Sequence, residues 1–235
     1  MSNKHGKTEL EKEFELERLI LFSDAVFAIA ITLLVIDIKF PALPPAITLK
    51  SLSTLFRPTL YQFFGFVVSF WFIGSSWSKH VRLFRQLKKY DQGLITRNLF
   101  YLFFIVIFPF TASGFASGIE SGVEGASQTG ILFAIFLYTF NIACVTICHF
   151  IICHYIFYQR PGLTFDSEVP EKKYLYIEGK YTCLMVAIAL LLCVLVAIVF
   201  PGKEEYISYC FFVLPVMALY LQWKKRKYLP RHTER

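Results

Sequence analysis

The chain has 235 residues, of which 56% are hydrophobic and 17% are charged, and its formal net charge is +7. Its mean hydropathy of +0.53 and its long, unbroken apolar runs exclude an ordinary soluble domain, whose apolar residues follow helical or alternating periods. Backbone groups in lipid must be hydrogen-bonded within the chain, and a helix needs roughly 20 residues to cross the hydrocarbon core. The runs therefore predict membrane-spanning helices.

Intervals without charged residues place six predicted spans along the chain. The first run, 19–38, is interrupted only by Asp24 and Asp37. The later intervals contain no charge and predict spans at 58–78, 98–118, 130–157, 181–201 and 206–223. A segment rich in Gly and Ser, 114–130, is predicted as an outer loop. We expect an all-α membrane protein with a leader at 1–18, a six-helix transmembrane domain at 19–223 and a basic tail at 224–235.

The distribution of Lys and Arg predicts that both termini lie in the cytoplasm. The leader, the loops at 79–97 and 160–180 and the tail hold 20 of the 24 Lys and Arg residues, whereas the alternate loops hold four. This asymmetry requires an even number of spans. We expect a multi-pass protein of the cell (inner) membrane whose basic tail contacts anionic lipid headgroups. No nucleic-acid-binding module is visible, and nucleic acid is not an expected partner.

Asp24 stands out in the first predicted span, because an ionisable side chain costs roughly 2.5–3.5 kcal/mol at the centre of a membrane helix. Arg18 lies about 120° away around the helix, so partners on other helices are expected for Asp24. Trp77, His80 and Asn98 lie at the same depth, at the cytoplasmic ends of the second and third spans. These residues could form a polar network or could contact headgroups and water independently, and position alone favours neither.

A narrow apolar stripe runs along another side of the same span. Ile29, Leu33 and Ile36 are spaced by four and three residues, and Thr32 lies about 60° from Ile29. Asp24 lies about 140° from Ile29, on the far side. Apolar stripes are ordinary on membrane helices, so the spacing by itself favours contact with lipid or with the protein core.

The residues from Arg18 to Asp24 read Arg-x-x-x-Phe-Ser-Asp. This segment resembles the first helix of the bacterial members of the transmembrane protein 175 family, relatives of an endolysosomal potassium channel. Further segments that are similar to the family follow in the next two spans: Trp77-x-x-His80, Asn98-Leu99 and Pro109-Phe110. The resemblance is dense over about the first 110 residues and only topological beyond them.

The resemblance implies a homotetrameric, potassium-permeable channel rather than an enzyme, with potassium as the permeant ion and no cofactor. The first helices would line a central pore that has no carbonyl selectivity filter. Thr32 would take the position linked to potassium preference, and a hydrophobic gate would be formed by Ile29, Leu33 and Ile36. The pore helix would be held, without contact to the ion, by Arg18, Ser23, Asp24, Trp77, His80 and Asn98.

A secondary transporter or proton-coupled cation exchanger is the main alternative. Three plus three spans is a suitable count, Pro109 and Pro215 are candidate breaks, and Asp24 or His80 would carry the proton. The two halves of the chain do not resemble each other, which counts against this interpretation.

Two further alternatives rest on the outer loop and the fourth span. An intramembrane enzyme would need Ser117 within hydrogen-bond reach of His149 or His154. A metal site in the fourth span would use Cys144, Cys148, His149, Cys153 and His154. The helical wheel separates those side chains, and a tetrahedral site needs ligands that converge. All six cysteines lie in or beside spans, so disulfides are not expected.

Overall fold

The computed structural model describes residues 9–36, 38–41, 45, 48–124, 128–165, 170–199 and 220. Its main elements are five long helices: α1 (Glu9–Leu33), α2 (Leu49–Phe84), α3 (Gln92–Glu124), α4 (Gln128–His154) and α5 (Pro170–Val199). A π-helical turn, Tyr155–Gln159, prolongs α4, and a 3-10 turn, Pro161–Leu163, follows it. The prediction of a mostly helical protein is confirmed.

Three of the described helices contain a stretch that is long and apolar enough to cross a membrane: Gln92–Ser117, Leu132–Gln159 and Lys172–Val196. These stretches overlap the third, fourth and fifth predicted spans. The first helix does not qualify, because every 18-residue stretch within it contains Glu17, Arg18 and Asp24. Of the sixth predicted span, 206–223, the structure describes only Tyr220, and the rest of the span lies outside the described residues.

The helices do not end where the charge-free intervals end. Helix α2 runs from Leu49 to Phe84, whereas the sequence predicted 58–78. A charge-free interval marks the part of a helix suited to lipid, but backbone hydrogen bonds can continue the helix beyond it. For the same reason α1 begins at Glu9, inside the predicted leader 1–18, and it ends at Leu33 instead of residue 38.

The prediction of a long outer loop at 114–130 is wrong. Helix α3 continues to Glu124 and α4 begins at Gln128, so most of that segment is helical. Helix propensity is a weak guide where tertiary packing competes with it. Here α3 and α4 pack against each other more extensively than any other two helices of the described part. Phe115, inside the predicted loop, stacks on Tyr138 at 4.7 Å.

The core lies where α1, α2, α3 and α4 meet. Its almost fully buried large side chains include Phe27, Ile73, Phe84, Tyr101 and Phe108. Phe72 of α2 stacks on Phe108 of α3 at 5.0 Å between ring centres. Helix α5 packs mainly along α4. The first helix is therefore held by α2 and α3, and α5 approaches that group from the side of α4.

The interhelical loops 85–91 and 160–165 meet at one end of the molecule, which we call the basic end. Leu87 and Thr164 form an antiparallel bridge, and the Lys88 amide donates to the Leu163 carbonyl at 2.9 Å. The Tyr90 hydroxyl donates to the carboxylate of Glu15 in the first turns of α1. Part of the predicted leader and the described parts of two predicted loops that carry Lys and Arg thus lie together at this end.

Candidate pore helix and its polar anchor

Helix α1 has one packed side and one uncovered side. Ser23, Phe27 and Ala30 are at most 1% exposed, because they face α2 and α3. In contrast, Ile29 is 58% exposed and Leu33 is 39% exposed, although both are fully apolar. The helix therefore presents an apolar surface that no described part of the chain covers.

Asp24 is held by the second helix. The indole nitrogen of Trp77 donates a hydrogen bond to Asp24 Oδ1 at 2.8 Å. A hydrogen bond to an ionised acceptor is roughly twice as strong as one between neutral groups. The contact ties the first helix to the C-terminal part of α2.

A second contact joins α1, α2 and α3 through three fully buried side chains. His80 Nε2 donates to Asn98 Oδ1 at 2.9 Å, and Asn98 Nδ2 donates to Ser23 Oγ at 2.9 Å. The Ser23 hydroxyl then donates to the Leu19 carbonyl at 2.9 Å. Each group in this series donates to the next, so the amide of Asn98 and the hydroxyl of Ser23 are both satisfied away from water.

Aromatic rings surround the His80 imidazole. It stacks on Phe84 at 4.0 Å and lies parallel to Tyr101 at 5.7 Å, while Phe27 of α1 approaches at 5.6 Å. The Tyr101 hydroxyl donates to the Ser76 carbonyl at 3.3 Å. The ring is thus fixed by packing as well as by Asn98. We call the contacts of Ser23, Asp24, Trp77, His80 and Asn98 the polar anchor.

The polar anchor contains five of the six residues that the sequence proposed for it. They form two separate hydrogen-bonded groups instead of one network: Asp24 with Trp77, and Ser23 with Asn98 and His80. Arg18 is exposed and belongs to neither of these two groups. Its distance around the helix from Asp24 explains why the two do not pair.

The uncovered stripe continues beyond the end of α1. Thr32 is exposed, and its hydroxyl donates to the Ile29 carbonyl at 2.9 Å, which leaves the oxygen lone pairs directed away from the helix backbone. Ile36, the third member of the predicted stripe, is 69% exposed but lies in the turn 34–36 after the helix. Its amide donates to the Leu33 carbonyl at 3.2 Å, so the turn is a tightened continuation of α1.

The chain after this turn is fastened to α2. The Lys39 amide donates to Gln62 Oε1 at 3.0 Å, and the Thr59 hydroxyl donates to the Lys39 carbonyl at 3.0 Å. A cleft of about 80 Å³ lies beside these bonds, and its lining includes Leu34, Ser113 and Ser117. The uncovered stripe is therefore fixed near both of its ends, by the polar anchor and by the Lys39 backbone.

Other buried polar contacts were not predicted from the sequence. Arg82 forms an ion pair with Glu178 at 3.3 Å, and Ser69 shares a hydrogen bond with Tyr138 at 3.0 Å. Asn141 donates to the Phe104 carbonyl near Pro109. In the sequence, Arg82 and Glu178 are only members of two charged predicted loops, at 79–97 and 160–180. The signal available in the sequence was the opposite charge of Glu178, which lies between Lys173 and Lys180.

The groups required by two of the alternatives do not come together. Tyr101 lies 5.9 Å from His149, while Ser117 is sixteen residues further along α3, which corresponds to about 24 Å of helix. His149 Nδ1 lies 3.8 Å from Cys153 Sγ. Among the residues that the structure describes, no group of three His, Cys, Asp or Glu side chains could hold a metal ion.

Comparison with known proteins places the first three helices in context. Residues 18–109 match the model of a family described as the endosomal/lysosomal potassium channel TMEM175. The matched segment begins at Arg18 of the Arg-x-x-x-Phe-Ser-Asp motif and contains the whole polar anchor. The resemblance seen in the sequence is therefore confirmed, and the family is one of ion channels, not of enzymes.

Two curated relatives extend this match. A potassium channel of Chryseobacterium is 34% identical over 92 residues, which are 39% of this chain and 44% of that protein. The endosomal/lysosomal proton channel TMEM175 of Gallus gallus is 27% identical over 210 residues, which are 82% of this chain and 39% of that protein. The chain thus spans less than half the length of either relative.

A solved structure shares the fold. The lysosomal potassium-selective channel TMEM175 homologue from Chamaesiphon minutus superimposes with a TM-score of 0.65 and 21% sequence identity. The similarity covers 89% of this chain and 97% of that chain. The shared fold therefore extends beyond the matched segment 18–109.

Proposed function

We propose that this chain, a relative of the TMEM175 channels, forms a potassium-permeable cation channel in the cell membrane. Four copies would surround a central pore lined by α1, with both termini of each copy in the cytoplasm. The named function of the relatives and the shared fold support this proposal. The basic tail at 224–235 would bind anionic headgroups of the cytoplasmic leaflet.

The observation that carries the proposal is the difference between the two sides of α1. A helix held on one side by fully buried contacts leaves Ile29 and Leu33 uncovered on the other. In a ring of four subunits, the uncovered stripe would face the axis. A constriction of branched aliphatic side chains can close a pore by expelling water from it. Ile29 would form this gate, with Leu33 and Ile36 on its outer side.

Thr32 would contribute to the preference for potassium over sodium. Its hydroxyl hydrogen is used by the Ile29 carbonyl, so the oxygen can present lone pairs to a cation passing beside the gate. A hydrophobic constriction offers no replacement for the water shell of an ion. We therefore expect modest selectivity for potassium over sodium, with the Thr32 oxygen as its source and no carbonyl filter.

The polar anchor would set the position of the gate without touching the ion. Its hydrogen bonds fix α1 against α2 and α3 one to two turns below Ile29. The pore radius at Ile29 would then depend on how α1 is rotated relative to α2 and α3. A small rotation of α1 in each subunit would move the four Ile29 side chains away from the pore axis and let water enter.

The test is potassium flux into liposomes that contain the purified protein, compared with sodium flux. We expect passive flux that follows the electrochemical gradient and needs no second substrate. Ile29→Asn makes the constriction polar and should raise potassium flux by about tenfold or more, since dewetting no longer closes the pore. Val106→Asn, on the exposed side of α3, is the matched control and should leave the flux unchanged.

Two results would contradict the proposal. Flux that saturates and is strictly coupled to protons would identify a secondary transporter. Equal flux in Ile29→Asn and the wild type would remove the stripe from the conduction path, whatever the overall activity.

A further inference from the structure

The cytoplasmic part of α2 carries polar residues on two opposite sides. Trp77 and His80 face α1 and α3, where they belong to the polar anchor. Arg82 faces α5, where it meets Glu178. Trp77 and Arg82 are five residues apart, which places them about 140° apart around the helix. The same two turns of α2 therefore connect the candidate pore helix on one side and α5 on the other.

The contact with α5 is an enclosed ion pair. Arg82 Nη2 lies 3.3 Å from Glu178 Oε1, and Glu178 is only 7% exposed. Tyr174, one turn earlier on α5, is 3% exposed, and the Thr182 hydroxyl donates to the Glu178 carbonyl at 2.8 Å one turn later. Removing either partner of a buried pair leaves the other charge uncompensated, so such a pair strongly resists separation.

Among the described residues, α5 packs very little against α1, α2 and α3. It packs mainly along α4, and α4 in turn packs along α3. The Arg82–Glu178 pair provides a direct polar link from α5 to the very turns of α2 that carry Trp77. A movement of α5 relative to α2 would therefore act on the polar anchor without passing through α4 and α3.

We propose that the Arg82–Glu178 ion pair is a positioning contact through which α5 controls the polar anchor and hence the orientation of α1. The physiological meaning of this inference rests on the proposed channel function. The structural link from Glu178 through Arg82 to Trp77 does not depend on that function. Glu178 and Arg82 act on the gate through Trp77 and Asp24, and neither touches the ion path. The second half of the chain thereby takes part in setting the pore.

The first experiment measures the fluorescence of Trp77, whose indole N–H is bound to Asp24. The chain has three tryptophans, so the background Trp71→Phe/Trp223→Phe leaves Trp77 as the sole reporter. In detergent, Glu178→Gln should move the Trp77 emission maximum to longer wavelength, because the loosened end of α2 exposes the indole to water. Lys180→Gln, at an exposed position two residues further along α5, is the control and should leave the emission unchanged.

Reversal of the pair checks the cause. Arg82→Glu/Glu178→Arg should return the emission toward that of the background protein. If Glu178→Gln cannot be purified in folded form, Arg82→Lys keeps the charge but alters the geometry, and should give a smaller shift in the same direction. Unchanged Trp77 emission in folded Glu178→Gln or Arg82→Lys protein would overturn the inference.

The second experiment is a double-mutant cycle on potassium flux with Trp77→Phe and Glu178→Gln. If Glu178 acts through Trp77, the double variant should match Trp77→Phe alone within about twofold, since independent sites would instead give additive effects. If the fold-change in flux of the double variant equals the product of the fold-changes of the two single variants, the sites are independent and the inference is overturned. If even the wild type conducts no potassium, the channel proposal fails, while the Trp77 emission still decides the role of the ion pair.

Discussion

The two sides of α1 are built from similar residues and serve different ends. Phe27 and Ala30 on one side are enclosed by α2 and α3, while Ile29 and Leu33 on the other are uncovered. Both sides are apolar, so composition does not distinguish them. The polar anchor distinguishes the two sides. Ser23 and Asp24 bind one face of the helix to α2 and α3, and the opposite face stays available to partners outside the described chain.

If α1 lines the pore as proposed, this difference should separate effects on stability from effects on conduction. Substitutions on the packed side should lower the stability of the subunit, whereas substitutions on the uncovered side should alter flux and leave stability nearly unchanged. Each prediction below tests whether the two sides can be separated in this way.

The largest effect on stability is expected for Phe27→Ala. Phe27 is 1% exposed and contacts both His80 and Tyr101, so truncation leaves a cavity in the core. Truncation of a buried Phe costs about 3–5 kcal/mol. Thermal unfolding in detergent should show a strongly lowered midpoint. Phe22→Ala, where the ring is half exposed, is the control and should change the stability by less than about 0.5 kcal/mol.

A somewhat smaller loss is expected for Asn98→Leu. The leucine fills the space but removes the acceptor for His80 and the donor for Ser23, so buried polar groups lose their partners. We expect a destabilisation of about 1–3 kcal/mol, measured by the same unfolding assay. A variant as stable as the wild type would show that packing around His80 holds α1 without these hydrogen bonds.

Asp24→Ala should affect assembly more than ion selectivity. The substitution leaves the Trp77 indole without its acceptor, and α1 loses one of the two contacts that it makes within the polar anchor. We expect less tetramer in size-exclusion chromatography and a lowered unfolding midpoint. A change in the potassium-to-sodium flux ratio with normal assembly would place Asp24 on the ion path and contradict its assignment to the packed side.

The smallest effect is expected for Thr32→Ala, on the uncovered side. Loss of the hydroxyl should reduce the potassium-to-sodium flux ratio by a few fold and change stability by less than about 0.5 kcal/mol. Liposome flux measured with each ion separately checks both parts of the expectation. An unchanged ratio would remove Thr32 from the selectivity mechanism while leaving the gate proposal intact.

The sequence predicted the helical class and singled out Asp24, because charged residues in apolar runs are rare enough to be informative. Position alone left open whether Asp24, Trp77, His80 and Asn98 form a network, and only the family resemblance implied that they hold the first helix. The sequence did not predict the ends of the helices. Charge-free intervals report compatibility with lipid, and the helical hydrogen bonds of α1 continue through the charged residues from Glu9 onward. Nor did it indicate the Arg82–Glu178 pair, whose partners are 96 residues apart and belong to regions rich in charge.

Because α1 is one continuous helix from Glu9 to Leu33, it can behave as a rigid rod between the basic end and Ile29, the proposed gate residue. Glu15, bound by Tyr90, and Ile29 are fourteen residues apart, a distance of about 21 Å along the axis. A rotation of α1 imposed at Glu15 would be transmitted to Ile29, since twisting the helix between the two residues would strain every backbone hydrogen bond between them. A force or ligand that acts on the charged residues from Glu9 to Arg18 would therefore also act on Ile29, the proposed gate residue.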